Sequence, residues 1–596
     1  MGEGGSGFPP LRAGRRPAGL ALLGWMDDRL APRLCRVEGA PGAGKSHLLA
    51  WLTAGCTADG APEGRRIHLM LPAAGLSLRA AVWQLGNQLD TVARTPGDVL
   101  AALAADDRPT TVCVPELDRA AEPDRLVAEL LDPLLELDTV RLLVEAPGAA
   151  FAREPAPAVL DLDDPRWTDR ERFTAWCAGQ DADPAAYPNP GRALGTTAPA
   201  GPAPLADLLA HVPDGPAGLP GAGAEALTAL WTAARREGGH APLLADPLLY
   251  VLPDPAAVTA GLDAAGLDAA GARAAGHPLA LAWDAAGPAL VDTADAAVRA
   301  HLLRARLLGG GEETRAAVER LSGAPGAWAA RWARWEPGPA VTAAPGAGLY
   351  RGQWLTADGN GTVRVLAAAT GEPLGRPALP APRPLRGLAV TASGTLLLLD
   401  TAGGTELLPA DRPAPGLDRY GLEEAVSRLR DAAEAPSAVA AAGRLPGAAP
   451  ALGDAAGAVH WYQDGRVHGE RLHTGPVTTL AATALGADDP RGGLPLLVSG
   501  GYDGTVRLWG PGSAPMAEPL DARPCPVVAV AADEGPDGLR VAAAWAGGLV
   551  RVHRPGDPAG VLELRLGSPV RALALDGRLL LLALADGLLA VDLHRP

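Results

Sequence analysis

The spacing of apolar positions along this chain changes character twice. In the first quarter, short apolar runs alternate with segments of helical period. Ala18 to Leu30 predicts a helix, Leu34-Cys35-Arg36-Val37 a strand, and His47 to Leu52 a second helix. Arg66 to Leu71 predicts another strand, Leu78 to Val92 a helix, Thr110 to Val114 a strand, Leu126 to Leu137 a helix and Val140 to Val144 a strand. Strands that are apolar throughout and alternate with helices predict a parallel, doubly wound sheet. From about Ala150 to Arg320 the pattern turns to Ala/Leu-rich helices between Gly/Pro stretches. These are Trp167 to Ala178, Leu205 to His211, Ala224 to Arg236, Pro255 to Leu262, Thr293 to Leu308 and Glu312 to Leu321, with a loose linker over Asp181 to Pro204. The last third consists of short strand-like runs punctuated by glycine.

Between the first strand and its helix lies Gly39-Ala40-Pro41-Gly42-Ala43-Gly44-Lys45-Ser46, which matches G-x-x-x-x-G-K-[ST] in full and in the strand–loop–helix setting the motif needs. Glycines let the backbone curl so that N–H groups face phosphate oxygens, and the helix N-terminus, from Lys45 through His47, adds its dipole. Lys45 would reach the β- and γ-phosphates, and Ser46 would ligate Mg²⁺. Lys45 is also the one lysine in a chain with 52 Lys+Arg, which leaves 51 arginines. A forked guanidinium does not replace a compact ammonium between two phosphates, so this is a position where that replacement fails chemically.

The run from Asp106 to Pro147 resembles the STAND class of signalling ATPases, NACHT-like relatives of AAA proteins. Their pattern is a hydrophobic strand, Asp-x-x-Asp-Glu-Ala, a helix, a second hydrophobic strand and a polar sensor. On that pattern Pro115 falls where the Mg²⁺-binding Asp is expected, Asp118 keeps the second acid, and Arg119 replaces the water-activating Glu. Glu145-Ala146 takes the sensor position. Phosphoryl transfer needs a metal-orienting carboxylate and a group that positions water. The resemblance therefore implies nucleotide binding with slow or absent turnover. Glu116 or Asp118 could reach the ion through water, and a register shifted by one residue would make Glu116 the metal carboxylate. The guanine-reading Asn-Lys-x-Asp cannot occur without a second lysine, which favours ATP or ADP. Gly276-His277-Pro278 is similar to the Gly-x-Pro of the same class, but also fits an ordinary helix start.

Glycines preceding a third strand recur at Gly361, Gly404, Gly457, Gly504, Gly548 and Gly587, with spacings of 43, 53, 47, 44 and 39. That period predicts about six propeller blades. The best copy runs from His473-Thr474-Gly475 to Gly500-Gly501-Tyr502-Asp503-Gly504-Thr505-Val506-Arg507-Leu508-Trp509 and resembles a WD40 repeat. His473, Ser499, Asp503 and Trp509 match that family's tetrad, in which the turn Asp holds the His that reaches Trp through Ser. Asn360 to Val365 is a second good copy; Gly403-Gly404 and Ala546-Gly547-Gly548 keep the turn glycines and lose the Asp. The long spacing holds an amphipathic helix over Leu417 to Ala433, whose charges fit a solvated face as well as a contact. The last blade lacks one strand, which Trp328 to Glu336 would supply, although its tryptophans at i, i+4 and i+7 also fit a helix.

Composition narrows the function classes. A net charge of −16 argues against a nucleic-acid binder, which needs a basic face. Cys35, Cys56, Cys113, Cys177 and Cys525 are scattered without C-x-x-C pairing, which fits a reducing cytosol and no zinc site. No apolar run reaches 18 residues, so no membrane span is expected. Arg15-Arg16 before an apolar stretch is similar to an export signal, but Asp27-Asp28 follow it and no A-x-A site appears. Met1-Gly2 to Ser6 meets the loose myristoylation pattern by glycine content.

The expected fold is therefore multidomain α/β + α + β. Residues 1–16 form a disordered terminus, 17–150 a P-loop NTPase domain, 151–325 a helical regulatory or linker module, and 326–596 a WD40-like propeller. The function expected is an ATP-binding, STAND-like switch or scaffold in the cytoplasm. Gly39 to His47 bind nucleotide; Ser46, Asp118 and Glu116 hold Mg²⁺; and the propeller binds a protein partner. Oligomerisation on nucleotide binding is compatible with this reading. An active P-loop ATPase or small-molecule kinase, and a WD40 scaffold with a relic P-loop, are the alternatives.

Overall fold

The computed structural model describes residues 11–56, 62–146, 148, 151–196, 203–212, 215–323, 326–335, 340–379, 383–410, 419–445, 450–463, 465–486, 493–557 and 560–594. Met1-Gly2, Pro147, part of the 181–204 linker, Glu336 and the first residues of the Leu417 to Ala433 insertion lie outside them. The chain divides into two compact units at Ala275/Gly276.

The first unit is built on a five-stranded parallel sheet: β1 Leu34–Glu38, β2 Leu69–Met70, β3 Thr110–Val114, β4 Val140–Glu145 and β5 Ala158–Asp161, in the order β2-β3-β4-β1-β5. The inner strands are apolar on both faces because helices cover both, and Val112, Cys113, Val114, Leu142, Leu143 and Val144 are fully buried. The β5 strand escapes sequence reading because it is four residues long and preceded by prolines. Helices follow at Arg170–Gln180, Ala224–Glu237 and Pro255–Ala264. Trp231, fully buried, donates to Leu249 O and meets Gly261 where a side chain would clash.

Two expected boundaries shift. Residues 11–15 do not belong to a disordered tail: Arg15 is 2% exposed, with its guanidinium bound by backbone carbonyls, which fixes the entry to helix Arg16–Asp27. The helical stretch expected to form one module over 151–325 is split, because Pro278–Leu290, Ala296–Leu307 and Glu312–Arg320 belong to the second unit. His277 caps the first of these, its ring nitrogen accepting from Ala280 N–H with Pro278 next in line, so Gly276-His277-Pro278 is a helix start.

The second unit contains a six-bladed β-propeller. The first strands of successive blades are Ala340–Pro345, Leu385–Val390, Pro436–Ala441, Val477–Leu485, Val527–Gly535 and Val570–Asp576, and they contact one another in a closed ring. Blades 1, 3, 4 and 5 are four-stranded antiparallel sheets of consecutive strands. In the sixth, β6 Trp328–Arg334 pairs antiparallel with the last strand, Gly587–Leu593, so the segment expected to close the ring does so as a strand. Blade 2 has three strands among the described residues. The helix Arg419–Ala432 follows it, and its Val426 and Leu429 pack with Leu397 and Leu399 of blade 2 and with Val439 and Leu452 of blade 3. Helix Ala296–Leu307 lies on β6: Arg304 donates to Ala330 O, and Arg306 pairs with Asp586 at 2.7 Å while stacking on Trp335. Among the described residues no helix is long and apolar enough to cross a membrane.

Candidate nucleotide-binding site

The loop Gly39 to Gly44 leaves the carboxyl end of β1, the side on which open parallel α/β sheets bind ligands. Its conformation requires glycine: φ is +137° at Gly39, +82° at Gly42 and +90° at Gly44. Helix Lys45–Cys56 begins directly after it, seated on the sheet by Leu48, Leu49 and Leu52. The helix N-terminus therefore faces out of the loop with its positive end. Pro41, Gly42, Ser46 and His47 are exposed, and Ala43 is buried.

The loop is held from behind by residues far away in sequence. Arg15 donates to Ala43 O, Leu162 O (2.9 Å), Pro188 O (3.0 Å) and Thr168 Oγ1 (2.7 Å), and burial lowers its pKa to about 10. Asn189 Nδ2 donates to Pro41 O at 3.2 Å, and Gly191 N–H to Gly42 O at 2.9 Å. A Cβ on Gly191 would lie 2.6 Å from Gly42 Cα, so the two backbones touch. Asp163 accepts from Ala40 N–H at 2.7 Å.

At the open side, β4 lies beside β1 with Val37 opposite Glu145. This register brings the Glu145 carboxylate to the loop. Ser46 Oγ donates to Glu145 Oε1 at 3.2 Å, Lys45 Nζ stands 4.0 Å from the same oxygen, and Glu116 N–H donates to Oε2 at 3.3 Å. Lys45 Nζ also donates to Gly39 O at 2.9 Å. Burial pushes the Glu145 carboxyl up, against the lowering effect of Ser46, Glu116 N–H and Lys45, while the charge of Asp118 adds to the rise. At the end of β3, Pro115 is buried, Glu116 is left-handed (φ +54°) and its carboxylate is ion-paired with Arg119, and Asp118 is exposed. Of the three residues expected around Mg²⁺, then, Ser46 touches a carboxylate, and that carboxylate belongs to neither Glu116 nor Asp118. The sequence signal for Glu145 was its place at the end of the strand after β3.

In the propeller, the His473 side chain is fully buried. Its Nδ1 stands 3.1 Å from Asp503 Oδ1 and its Nε2 2.8 Å from Ser499 Oγ. The fourth member of the expected tetrad is a correction: Trp509 Nε1 donates to Ser513 O at 3.0 Å, a carbonyl brought within reach by the turn after its strand, and an indole has one proton to give. In blade 2 the strand register puts Ala402 where blade 4 has Asp503, so that Asp is absent there as expected. Another acid fixes the turn: Asp400, three residues before Gly403, accepts from Ala402 and Gly404 N–H, and Asp358 and Asp454 do the same in blades 1 and 3. The recurring D-x-x-G is the signal that was missed.

No family model matches this chain, and no curated protein matches it. Among solved structures it is similar to the WD40 repeats of RRP9 (13% identity, covering 45% of this chain and 97% of that one, TM-score 0.26). It is likewise similar to U3-55K (13%, 45% and 98%, TM-score 0.27) and to the computationally designed Ika8 protein (14%, 44% and 98%, TM-score 0.26).

Proposed function

We propose that this protein is a nucleotide-binding switch or scaffold of STAND type, which takes ATP or ADP with Mg²⁺ in its first unit and holds a protein partner on its propeller. The observation that carries the reading is the loop itself. Three positive-φ glycines, the only lysine of the chain and a helix N-terminus stand together at the carboxyl end of an inner parallel strand. The donor set fits a nucleotide phosphate chain: backbone N–H groups of the loop, the Lys45 ammonium, and the Ser46 hydroxyl as a metal ligand. Bound Mg²⁺ would supply charge neutralisation on the phosphates.

Hydrolysis is slow or absent in this reading. Pro115 offers no carboxylate where β3 ends, the Glu116 carboxylate is taken by Arg119, and a guanidinium does not serve as a base. The experiment is calorimetry of Mg²⁺-ATP and Mg²⁺-ADP on the full chain and on Lys45→Ala. Binding lost in the variant supports the reading, and equal affinity in both overturns it.

A further inference from the structure

We propose that Glu145 is the carboxylate that organises Mg²⁺ beside the P-loop, and that this role has moved one strand inward from β3 to β4. The proposal rests on the nucleotide reading above and deepens it.

Three observations lead there. First, the parallel register sets Glu145 opposite Val37, two residues before Gly39, so its side chain emerges at the level of the loop. The end of β3 is one strand further away, because β4 lies between β3 and β1. Second, Glu145 is bound on both oxygens. Ser46 Oγ donates to one at 3.2 Å and Glu116 N–H to the other at 3.3 Å. Ser46 is the hydroxyl that the motif assigns to Mg²⁺. Third, the competing acids are placed otherwise: Glu116 is ion-paired with Arg119, and Asp118 is exposed.

The charges follow from this arrangement. Glu145 is 4.0 Å from Lys45 Nζ, the group that would meet the phosphates. A metal-free nucleotide brings phosphate oxygens towards a buried carboxylate, and like charges repel more strongly beside a buried group than in bulk water. A hard divalent cation held by oxygen ligands between the two removes the repulsion, and Mg²⁺ characteristically takes one or two protein oxygens together with phosphate oxygens and waters. Glu145 thereby makes nucleotide binding conditional on the metal.

The test is the ratio of ADP affinities in Mg²⁺ and in EDTA, measured by calorimetry on the full chain. The wild type is expected to bind at least about tenfold more tightly with Mg²⁺. Glu145→Gln keeps the shape and removes the charge, so its ratio falls towards one, chiefly because metal-free ADP binds better. Glu116→Gln and Asp118→Asn keep the wild-type ratio. Mn²⁺ in place of Mg²⁺ gives a second readout: its free-ion paramagnetic resonance signal is quenched by wild type plus ADP and not by Glu145→Gln plus ADP. If Glu145→Gln melts too low for assay, Glu145→Asp, which draws the charge back by one methylene, is expected to give an intermediate ratio. A wild-type ratio in either Glu145 variant, or loss of the ratio in Glu116→Gln or Asp118→Asn, overturns the assignment while nucleotide binding stands. Absence of ADP binding by the wild type with Mg²⁺ overturns both.

Discussion

Replacing Asp503 with alanine isolates the polar knot that fixes blade 4. Its carboxylate accepts from Thr474 N–H at 3.0 Å, Thr505 N–H at 3.1 Å and Thr505 Oγ1 at 2.8 Å, and it faces His473 Nδ1 at 3.1 Å. These losses are unequal. Thr474 is exposed and Thr505 half-buried, so water replaces much of what they lose. The His473 side chain is fully buried, and although it keeps Ser499 and Thr505 Oγ1 as neighbours, it loses its charged partner. A hydrogen bond to a charged group contributes about 1.5–3 kcal/mol, and an unsatisfied buried donor costs about 1–3 kcal/mol. A loss of about 2–3 kcal/mol is expected for Asp503→Ala. Asp503→Asn keeps the acceptor oxygen and is expected to lose about half of that. For a unit of this size the alanine variant corresponds to a fall in Tm of roughly 3–5 °C. Scanning calorimetry on the full chain reads this as movement of the propeller transition alone. Asp503→Ala melting within about 1 °C of the wild type would refute the reasoning, because the carboxylate would then be an ornament on a turn already fixed by Gly504. That glycine has φ +78°, and a Cβ there would lie 1.9 Å from Arg523 O.

Steady-state ATP turnover is expected below the usual enzyme range of about 1–1000 per second; phosphate release within that range, lost in Lys45→Ala, would favour the working ATPase. Gly191→Ala is expected to press on Gly42 Cα and weaken nucleotide affinity about tenfold or more, since overpacking costs about 1–3 kcal/mol; unchanged calorimetric affinity would mean that the loop moves freely of its backing. The pH dependence follows from two groups whose pKa values are lowered in the fold: His473 by burial, and Asp503, to about 2, by its hydrogen bonds. Each contributes stability above its unfolded pKa that is lost as pH falls through the folded one, so the propeller Tm should drop first below about pH 6.5 and again below about pH 4. A flat Tm from pH 7.5 to 5 would count against the histidine arm. A fragment beginning at Gly276 should melt above one beginning at Gly326, which lacks Arg306, and one beginning near Pro339 should aggregate through an unpaired edge; equal solubility of all three would remove β6 from closure.

The repeat was legible because five of the six blades place a left-handed residue before the third strand, and glycine supplies it at small steric cost. Gly361, Gly457, Gly504 and Gly548 have positive φ, as does Gly403, which takes that role in place of Gly404. The glycine loop after β1 was legible for a similar reason: its turn is local, Gly39 to Gly44 between one strand and the helix Lys45–Cys56. Misread features depend on contacts between distant segments. Nothing in Tyr187-Pro188-Asn189-Pro190-Gly191 announces that it packs on Gly42, about 150 residues earlier, and nothing in Arg15 announces four acceptors. Glu145 was placed in the sensor position, but its meeting with Ser46 needs the register of two parallel strands. Trp509 was assigned by family pattern, and a turn carbonyl at Ser513 took its proton instead.

Closure by β6 joins an early segment of the second unit to its last strand. Arg331 and Asp592, paired across β6 and the last strand, are 261 residues apart in sequence. The entropy of closing so long a loop grows only with the logarithm of its length, about 0.6 kcal/mol per doubling, so distance is a weak obstacle once local contacts suffice. Those contacts are dense. Trp332 packs with Trp354, Leu366 and Ala590, and its indole donates to Ala368 O at 2.9 Å, which ties blade 6 to blade 1. Arg306 adds a second tie on the helical side through Asp586 and Leu566 O. One blade is thus completed by residues from both ends of the unit and braced by the helix that precedes it. The helices of residues 278–320 therefore belong to the propeller's stability as well as to the connection before it, and the natural starting point of the unit is Gly276 rather than the first strand.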